Sequence, residues 1–415
     1  MPKTILILGG AYIGISTAHY TLKHVLPRLP SPESYQIVLV STSKELACRP
    51  GFPRALIADS FFDQSKLFLS LEEQFRAYDE KSFKFVHGRA KSLDHENRTV
   101  TVDQITGGND QTAEIHIEYH ALVIGTGSST PSPLLGLNSS GRDAITKHWS
   151  AVRAALPSAK TIVIGGGGPV GVETAGELGE HLNGRAWWFS SKLSDPTVKI
   201  TVVTSGAQIL PYLRPAIAQT AEGFLAKLGV SVLKNVKVET VSPPDAGTGE
   251  QVTAKTEVKL SNGDTLQADL YIPAYGGTPN TSFVDESLKT PDGRVMTNAQ
   301  TLRVDKAGPR VYAAGDASDY ARPAIHIIHE AIPVLASNLK RDLLVEAGQA
   351  VPGEDRLFKA DERETQLVPI GQSKGVGSAL GYKMPSFLVW LIKGRDYMVG
   401  MTQPLWNGKH FAKES

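Results

Sequence analysis

The sequence predicts an α/β protein with two similar units, in each of which a buried strand runs through a glycine turn into a helix. The first unit is at the N-terminus, where the apolar residues 5–8 precede glycines at 9, 10 and 14. The second is in the middle, where residues 161–164 precede glycines at 165–168 and 171. A length of 415 residues also allows roughly two to three domains with buried cores.

Charge and cysteine content exclude several classes of protein. The 43 Lys and Arg residues balance 42 Asp and Glu residues, so a net charge of +1 provides no general attraction to nucleic acid. Cys48 is the single cysteine, which excludes an internal disulfide, a CxxC redox pair and multi-cysteine zinc or iron–sulfur sites. If the protein transfers electrons, something other than cysteine must carry them.

The N-terminal sequence indicates a cytoplasmic protein. Its apolar run, residues 4–8, is too short for a signal peptide and ends in glycines, as a buried strand does. No apolar stretch approaches the roughly 20 residues needed to span a bilayer. The start Met1-Pro2 lacks the glycine required for N-myristoylation.

The first glycine turn has the spacing of a dinucleotide-binding fingerprint. Gly9 permits the turn, a small residue at Ala11 lets a pyrophosphate approach, and Gly14 allows close helix packing. The helix N-terminus adds free N–H groups and the positive end of its dipole. An ordinary strand–helix turn is the alternative. The residues predicted to hold the pyrophosphate are Gly9, Gly10, Ala11, Tyr12, Ile13 and Gly14.

The second turn repeats this pattern, with Gly166, Gly168 and Gly171 in the three key positions. Its helix carries Glu173 and Glu177 one turn apart. Two such units predict two Rossmann-like dinucleotide-binding domains and therefore a redox enzyme with two dinucleotide ligands. Two turns that bind no phosphate are the less favoured alternative.

Three further apolar runs end in glycine turns. Residues 121–124 lead into Gly125, Thr126 and Gly127, residues 270–272 lead into a glycine–proline turn, and residues 311–314 lead into Gly315 and Asp316. An Asp at a strand end beside a helix start suits hydrogen bonding to a cofactor's ribityl hydroxyl, although a plain N-cap is the alternative for Asp316.

In this order the motifs resemble those of the two-dinucleotide flavoprotein oxidoreductases, which have a glutathione-reductase-like arrangement. The chain most resembles the apoptosis-inducing-factor-like branch, which includes the ferroptosis suppressor flavoprotein and, more distantly, type II NADH dehydrogenases. The residues that narrow the resemblance are 49–54, 168–173 and 393–396. It covers essentially the whole chain.

The resemblance implies three regions. An FAD-binding domain would comprise residues 1–157 and 285–345, an NAD(P)H-binding domain residues 158–284, and a C-terminal α+β segment, residues 346–415, would complete the active site. The first glycine turn would hold the FAD pyrophosphate, Arg54 would lie against the FAD, Ala90 would meet the adenine, and Asp316 would bind the ribityl chain. Gly125, Thr126, Gly127 and Gly315 would complete the FAD site, and Gly166, Gly168 and Gly171 would serve NADPH or NADH.

The acidic residues expected after the second strand of each domain are missing. Ser41 and its neighbours Thr42 and Ser43 replace the first, so we expect hydroxyls and backbone to hold the FAD adenosine. Thr204-Ser205-Gly206 replaces the second. A carboxylate there would favour NADH by binding the 2′-hydroxyl. A site without it can also accept NADPH, so the preference between NADH and NADPH is left open.

Three side chains are candidates for catalysis. Glu173 would relay a proton or, alternatively, stabilise its own helix. Lys393 matches a basic residue that the family places near its flavin, and a solvated lysine is the alternative. His326 would donate to a reduced flavin or a quinone product. No third ligand accompanies His326 and His329, so a metal site is disfavoured. We expect Cys48 to be a small buried residue near the flavin.

Two aromatic segments leave membrane contact open. Residues 187–189 would touch a membrane surface or a partner, or would pack under a loop, which is the commoner arrangement. Residues 387–392 fit a core helix better than a membrane contact.

The sequence and the resemblance together predict an FAD-dependent oxidoreductase that passes hydride from NAD(P)H to FAD and then electrons to a quinone or related aromatic carbonyl compound. One alternative is a flavin-dependent oxidase or tailoring enzyme for a specialised metabolite. Another is an NAD(P)H-sensing flavoprotein with slow turnover. We expect no nucleic-acid partner, and the oligomeric state is not predicted.

Overall fold

The computed structural model describes residues 2–107, 111–137 and 141–414, apart from the side chain of residue 64. The strands are β1 (Lys3–Leu8), β2 (Tyr35–Ser41), β3 (Glu45–Ala47), β4 (Phe68–Ser70), β5 (Phe83–Asp94), β6 (Thr99–Ile105), β7 (Thr112–Glu118), β8 (Ala121–Ile124), β9 (Ser128–Ser129), β10 (Thr161–Gly165), β11 (Lys199–Val203), β12 (Val230–Leu233), β13 (Val238–Ser242), β14 (Thr256–Leu260), β15 (Thr265–Ala268), β16 (Leu270–Pro273), β17 (Thr278–Pro279), β18 (Val311–Ala313), β19 (Gln366–Ile370), β20 (Lys374–Ala379) and β21 (Tyr382–Lys383). The α-helices are α1 (Tyr12–Tyr20), α2 (Phe52–Ala55), α3 (Gln64–Leu67), α4 (Leu71–Phe75), α5 (Arg142–Ala155), α6 (Pro169–Asn183), α7 (Pro215–Ala226), α8 (Ile325–Glu346), α9 (Ser386–Val389) and α10 (Val399–Trp406).

The first sheet has the strand order β18-β8-β1-β2-β5-β6-β7. Its first five strands are parallel, and the long strand β5 continues into an antiparallel pairing with β6. Successive residues of β1 point to opposite faces. Ile5 and Ile7 join a core with α1 and α8, whereas Leu6 and Leu8 pack with residues of β6. Both faces of β1 are therefore buried, which explains its continuous apolar sequence.

The second sheet is parallel, with the order β12-β11-β10-β16. Ile162 and Ile164 of β10 pack with residues of α6 and α7, while Val163 packs with Tyr271 and the antiparallel sheet β13-β14-β15. This arrangement confirms the predicted α/β class with two Rossmann-like sheets. The domain limits drawn from the resemblance stay a prediction.

The C-terminal segment contains the antiparallel sheet β19-β20-β21 and the helices α9 and α10. Strand β19 approaches α6 so closely that a Cβ on Gly176 would lie 2.8 Å from the backbone nitrogen of Gly371. In the part of the chain that the structure describes, no helix has the length and apolar character needed to cross a bilayer.

The chain end returns to the first helical segment and is held there by a C-terminal clamp. The clamp consists of three basic side chains bound to three backbone carbonyls: His19 Nε2 to Trp406 at 2.8 Å, Lys23 Nζ to Gly408 at 2.5 Å, and His24 Nε2 to Phe411 at 2.8 Å. The Trp406 ring also packs on Tyr12, with 4.6 Å between ring centroids. The C-terminal segment therefore contacts the first glycine turn.

The clamp predicts a loss of stability in acid. His19 is fully buried, and this burial lowers its pKa from the ordinary value of 6.5 to about 4. The unfolded chain therefore binds a proton below pH 6.5 that the folded chain rejects. The contribution of neutral His19 to the free energy of unfolding is fully present above pH 6.5. It falls by about 3 kcal/mol as the pH drops to 4.

The measurement is urea unfolding between pH 7 and 4 for the native protein and for His19→Gln, which keeps a donor near Trp406 but does not titrate. Between pH 7 and 4, we expect the free energy of unfolding of the variant to fall by about 3 kcal/mol less than that of the native protein. His116→Gln is the control, because His116 is exposed. Equal pH slopes for the native protein and His19→Gln would contradict the prediction.

Candidate functional site

The first glycine turn is constrained by close backbone contacts. Gly9 has φ = +103°, and a Cβ there would lie 2.3 Å from the carbonyl oxygen of Gly125. A Cβ on Gly14 would lie 1.6 Å from the carbonyl oxygen of Gly9. Glycine is therefore required at both positions, one at the end of β1 and the other in the first turn of α1.

The second turn has the same geometry. Gly166 has φ = +123°, and a Cβ on Gly171 would lie 2.0 Å from the carbonyl oxygen of Gly166. Gly168 occupies the position equivalent to Ala11, and a Cβ there would have nothing within 4 Å. The space above this turn is open.

Both turns fit a pyrophosphate group. Ala11 precedes α1 and Gly168 precedes α6, and neither helix start receives a hydrogen bond from a capping side chain. The first N–H groups of an α-helix have no partner within the helix. They are therefore available to phosphate oxygens, which the positive end of the helix dipole also attracts.

The remaining residues predicted to bind FAD lie around the first turn. Ile13 joins two of the motifs, because a Cβ on Gly125 would lie 2.5 Å from Ile13 Cγ2 and one on Gly315 2.8 Å from Ile13 Cγ1. Ser41 ends β2 next to Gly10, where a Cβ would lie 2.7 Å from Ser41 Oγ.

Two more groups of predicted residues lie at strand ends of the first sheet. The Asp316 carboxylate accepts a hydrogen bond from Ser128 Oγ at 2.8 Å. Thr126 Oγ1 donates to the Asn280 carbonyl at 2.7 Å, and Asn280 Nδ2 donates back to the Thr126 carbonyl at 3.0 Å. Gly127 follows Thr126 and has φ = +67°. Ala90 lies within the long strand β5, where it pairs with β6. Ser128 and Asn280 are absent from the residues that the sequence singled out.

Arg54 is buried, and its donors are bound by protein groups. Its Nη2 lies 2.8 Å and its Nε 3.1 Å from the Glu177 carboxylate, and Nη1 donates to the Gly394 carbonyl at 2.7 Å. The Tyr397 hydroxyl also donates to Glu177, at 2.9 Å. Arg54 thus links α2 and α6 to the C-terminal segment, and its contact with FAD stays a prediction. The sequence identified neither Glu177 as the partner of Arg54 nor Tyr397 as a partner of Glu177, because 123 and 220 residues separate the members of these two contacts.

Two of the three predicted catalytic residues form an ion pair. Lys393 Nζ lies 2.6 Å from Glu173 Oε1 and also donates to the Leu367 carbonyl of β19 at 3.1 Å. The Glu173 side chain is 3% exposed and that of Lys393 is 17% exposed. Burial raises the pKa of Glu173, and the charge of Lys393 opposes this rise. The pair therefore combines a buried carboxylate with a lysine side chain that is partly exposed.

His326 lies in the first turn of α8, next to Arg322. Arg322 Nη2 is 3.5 Å from His326 Nε2 and donates to the Thr365 carbonyl, two residues before Leu367. Burial, with a smaller effect from Arg322, lowers the pKa of His326. Glu173 and Lys393 thus lie beside β19, whereas His326 is connected to the residue before this strand through Arg322.

His329 belongs to different surroundings from His326. Its ring lies 4.9 Å from that of His410, and burial lowers its pKa to about 4. Within the described residues, no group of three or more His, Cys, Asp or Glu side chains is arranged to hold a metal ion. Cys48 is buried, as predicted, and this burial raises the pKa of its thiol to about 11, so it is protonated at neutral pH.

The aromatic segments differ from the favoured interpretations. Packing of residues 187–189 under a loop is wrong, since Trp187, Trp188 and Phe189 are 71%, 69% and 75% exposed. The prediction of a core helix over residues 387–392 is also wrong in part, because Phe387 and Leu391 are largely exposed while Val389 is buried. Apolar sequence alone did not distinguish these faces, because burial depends on which element packs above the segment.

Comparisons with known proteins agree with this geometry. A family model described as pyridine nucleotide-disulphide oxidoreductase matches residues 3–333. The chain is 55% identical over 414 residues to Oxidoreductase phnG of Penicillium herquei, covering 100% of this chain and 98% of that protein. It is 24% identical over 409 residues to ferroptosis suppressor protein 1 of Xenopus tropicalis, covering 95% and 93%. The sulfide:quinone oxidoreductase of Aquifex aeolicus has a similar fold, with a TM-score of 0.70 at 15% identity, covering 98% of this chain and 92% of that chain.

The buried pair of Arg54 and Glu177 predicts a large loss of stability when one partner is removed. Arg54→Leu leaves the Glu177 carboxylate buried without its cation, so we expect the free energy of unfolding to fall by about 3–5 kcal/mol. Chemical denaturation measures this change.

The double variant with Arg54→Leu and Glu177→Leu should recover most of the loss, because it buries no unpaired charge. Lys91→Met removes the exposed ion pair with Glu114 and is the control, with an unchanged denaturation midpoint expected. A loss for Arg54→Leu no larger than that for Lys91→Met would rule out the predicted role of this pair.

Proposed function

Because the chain belongs to the pyridine nucleotide-disulphide oxidoreductase family, we propose that it is an NAD(P)H-dependent reductase of a quinone or a related aromatic carbonyl compound. The family makes it an oxidoreductase with FAD and a nicotinamide nucleotide as cofactors, and the resemblance to the ferroptosis suppressor flavoprotein is confirmed. The class of acceptor is the new part of the proposal.

The ion pair of Glu173 and Lys393 is the observation that carries the proposal. When bound, FAD would supply the chemistry of accepting a hydride from NAD(P)H and passing its electrons to an acceptor. A hydride brings two electrons and one proton, whereas reduction of a quinone to a hydroquinone consumes two electrons and two protons. The protein must therefore provide the second proton.

The residues around β19 suit this task. Lys393 Nζ contacts the buried Glu173 carboxylate, and its side chain is 17% exposed, so we propose Lys393 as the proton source. His326, whose neighbour Arg322 donates to the Thr365 carbonyl just before β19, is the second candidate donor to a developing hydroquinone oxygen. Positioned acids of this kind typically contribute about 10²–10⁴ in rate.

We propose that the cofactor sites follow the two glycine turns. Residues 1–157 and 285–345 would bind FAD through the first turn with Ser41, Ala90, Gly125, Thr126, Gly127, Gly315 and Asp316. Residues 158–284 would bind the nicotinamide nucleotide through Gly166, Gly168 and Gly171. Because Cys48 is the single cysteine of the chain, no internal disulfide can relay electrons, and they would leave directly from the flavin.

The test is anaerobic stopped-flow reduction of the purified flavoprotein by NADPH and by NADH, followed by mixing with a series of benzoquinones and naphthoquinones. We expect flavin reduction by at least one nucleotide and reoxidation by a quinone. A flavin that stays oxidised with both nucleotides, but is reduced by a metabolite alone, would replace this proposal with an oxidase or tailoring enzyme.

The ion pair makes a separate prediction. Lys393→Met removes the proposed proton source, so reduction of the quinone should slow by about 10²-fold while reduction of the flavin changes by less than about threefold. Glu173→Gln should act in the same direction, since it removes the charge that holds Lys393 in place.

Lys374→Met, at an exposed position on β20 of the same segment, is the matched control and should leave both rates unchanged. The measurement is the pair of single-turnover rate constants for each variant. Equal quinone reduction by Lys393→Met and the native protein would remove Lys393 from the mechanism.

A further inference from the structure

The second sheet has a topological switch point between β10 and β16. From β10 the chain proceeds to β11 and β12 on one side, and β16 lies on the other side of β10. In open α/β sheets, ligands bind outside the carboxyl ends of the strands at such a point. Strand β10 ends at the second glycine turn, and β16 ends two residues before Tyr275. Tyr275 therefore lies beside the crevice of the nicotinamide nucleotide.

The ring of Tyr275 lies against the end of β10. A Cβ placed on Gly165 would be 2.9 Å from Tyr275 Cε1, 3.1 Å from Cδ1 and 2.8 Å from the hydroxyl of Tyr271. Gly165 is in strand β10 and has no positive φ, so glycine is needed there to make room for these rings rather than for the backbone. Gly165 is therefore required in addition to the three fingerprint glycines, Gly166, Gly168 and Gly171.

The hydroxyl of Tyr275 is held by a buried partner, and the residue is partly exposed. The buried Tyr271 donates a hydrogen bond from its hydroxyl to that of Tyr275 at 3.2 Å, while the Tyr275 residue as a whole is 46% exposed. A large aromatic side chain that is fixed by a buried partner and still half exposed has a preorganised face for a ligand.

The position of this face identifies the half of the nucleotide that it meets. In Rossmann-like units the adenosine ribose binds at the end of the second strand, which is β11 here. The pyrophosphate lies at the turn after β10, so the nicotinamide half extends to the opposite side, towards β16 and Tyr275. In the oxidised nucleotide, nicotinamide is a pyridinium cation, which the electron-rich face of a tyrosine ring attracts.

We propose that Tyr275 is a positioning residue that stacks on the nicotinamide nucleoside and binds its oxidised form more tightly than its reduced form. This inference rests on the proposed function, since it requires a nicotinamide nucleotide at the second turn. It adds control over product release to that function, because the cationic product is held after the hydride has left.

The test is calorimetric titration of the FAD-loaded protein with NADP⁺, NAD⁺, 1,4,5,6-tetrahydro-NADPH, a neutral analogue that cannot donate hydride to the flavin, and ADP-ribose, which lacks nicotinamide. Tyr275→Leu removes the aromatic face, and Tyr275→Gln also removes it while keeping a polar end. For both variants we expect the Kd of the better-bound oxidised nucleotide to rise about tenfold, which corresponds to about 1.4 kcal/mol. The Kd of tetrahydro-NADPH should rise by less than about threefold, because its nicotinamide ring is neutral, as in NADPH.

Two controls separate stacking from a general disturbance. The Kd of ADP-ribose should change by less than about twofold, and Tyr275→Phe, which keeps the ring, should bind oxidised nucleotide within about threefold of the native protein. Equal weakening of ADP-ribose and the oxidised nucleotide, or unchanged affinity in both ring-deleted variants, would overturn the inference alone. If the native protein binds none of these nucleotides, the proposed function fails together with it.

Discussion

Helix α6 buries two carboxylates one turn apart, and the arrangement around it depends on neutralising them. Glu173 is paired with Lys393, and Glu177 is paired with Arg54 and hydrogen-bonded to Tyr397. An unpaired carboxylate in an apolar interior costs several kcal/mol, so each must keep its cation. The cations come from α2 and from the C-terminal segment, and the two pairs therefore determine how these segments pack on the second sheet.

The same helix also connects these charges to the second glycine turn. Its first turn contains Gly171, which contacts the Gly166 carbonyl, and Gly176 lets β19 approach its middle. Three requirements thus fall on one helix: an open N-terminus towards the turn, a small residue towards the neighbouring sheet, and acids towards the cations. A change in the position of α6 would alter all three contacts together. The second glycine turn is therefore coupled to the ion pair of Glu173 and Lys393.

The C-terminal segment connects helix α6 with the first glycine turn. At one end, β19 carries the carbonyl that accepts a hydrogen bond from Lys393, and near the chain end Trp406 packs on Tyr12 beside the first turn. Neutral His19 suits this contact, since its Nε2 faces the Trp406 carbonyl and its Nδ1 faces the Tyr78 hydroxyl at 3.1 Å. The segment that carries Lys393 is therefore tied to the residues of the first glycine turn.

The sequence by itself determined the α/β class, the two glycine turns and the family, because these features depend on residues close together in the chain. The close approaches of Gly14 to Gly9 and of Gly171 to Gly166 span five residues, so steric exclusion of any side chain leaves a readable local pattern. Glu173, Lys393 and His326 were named as separate candidates, but the grouping of Glu173 with Lys393 beside β19 was not predictable. Only the tertiary structure decided that grouping, the partners of Arg54, the placement of Tyr275 over Gly165 and the exposure of Trp187. These contacts join residues as many as 341 positions apart, and their energies depend on burial and charge that exist only after the chain has folded.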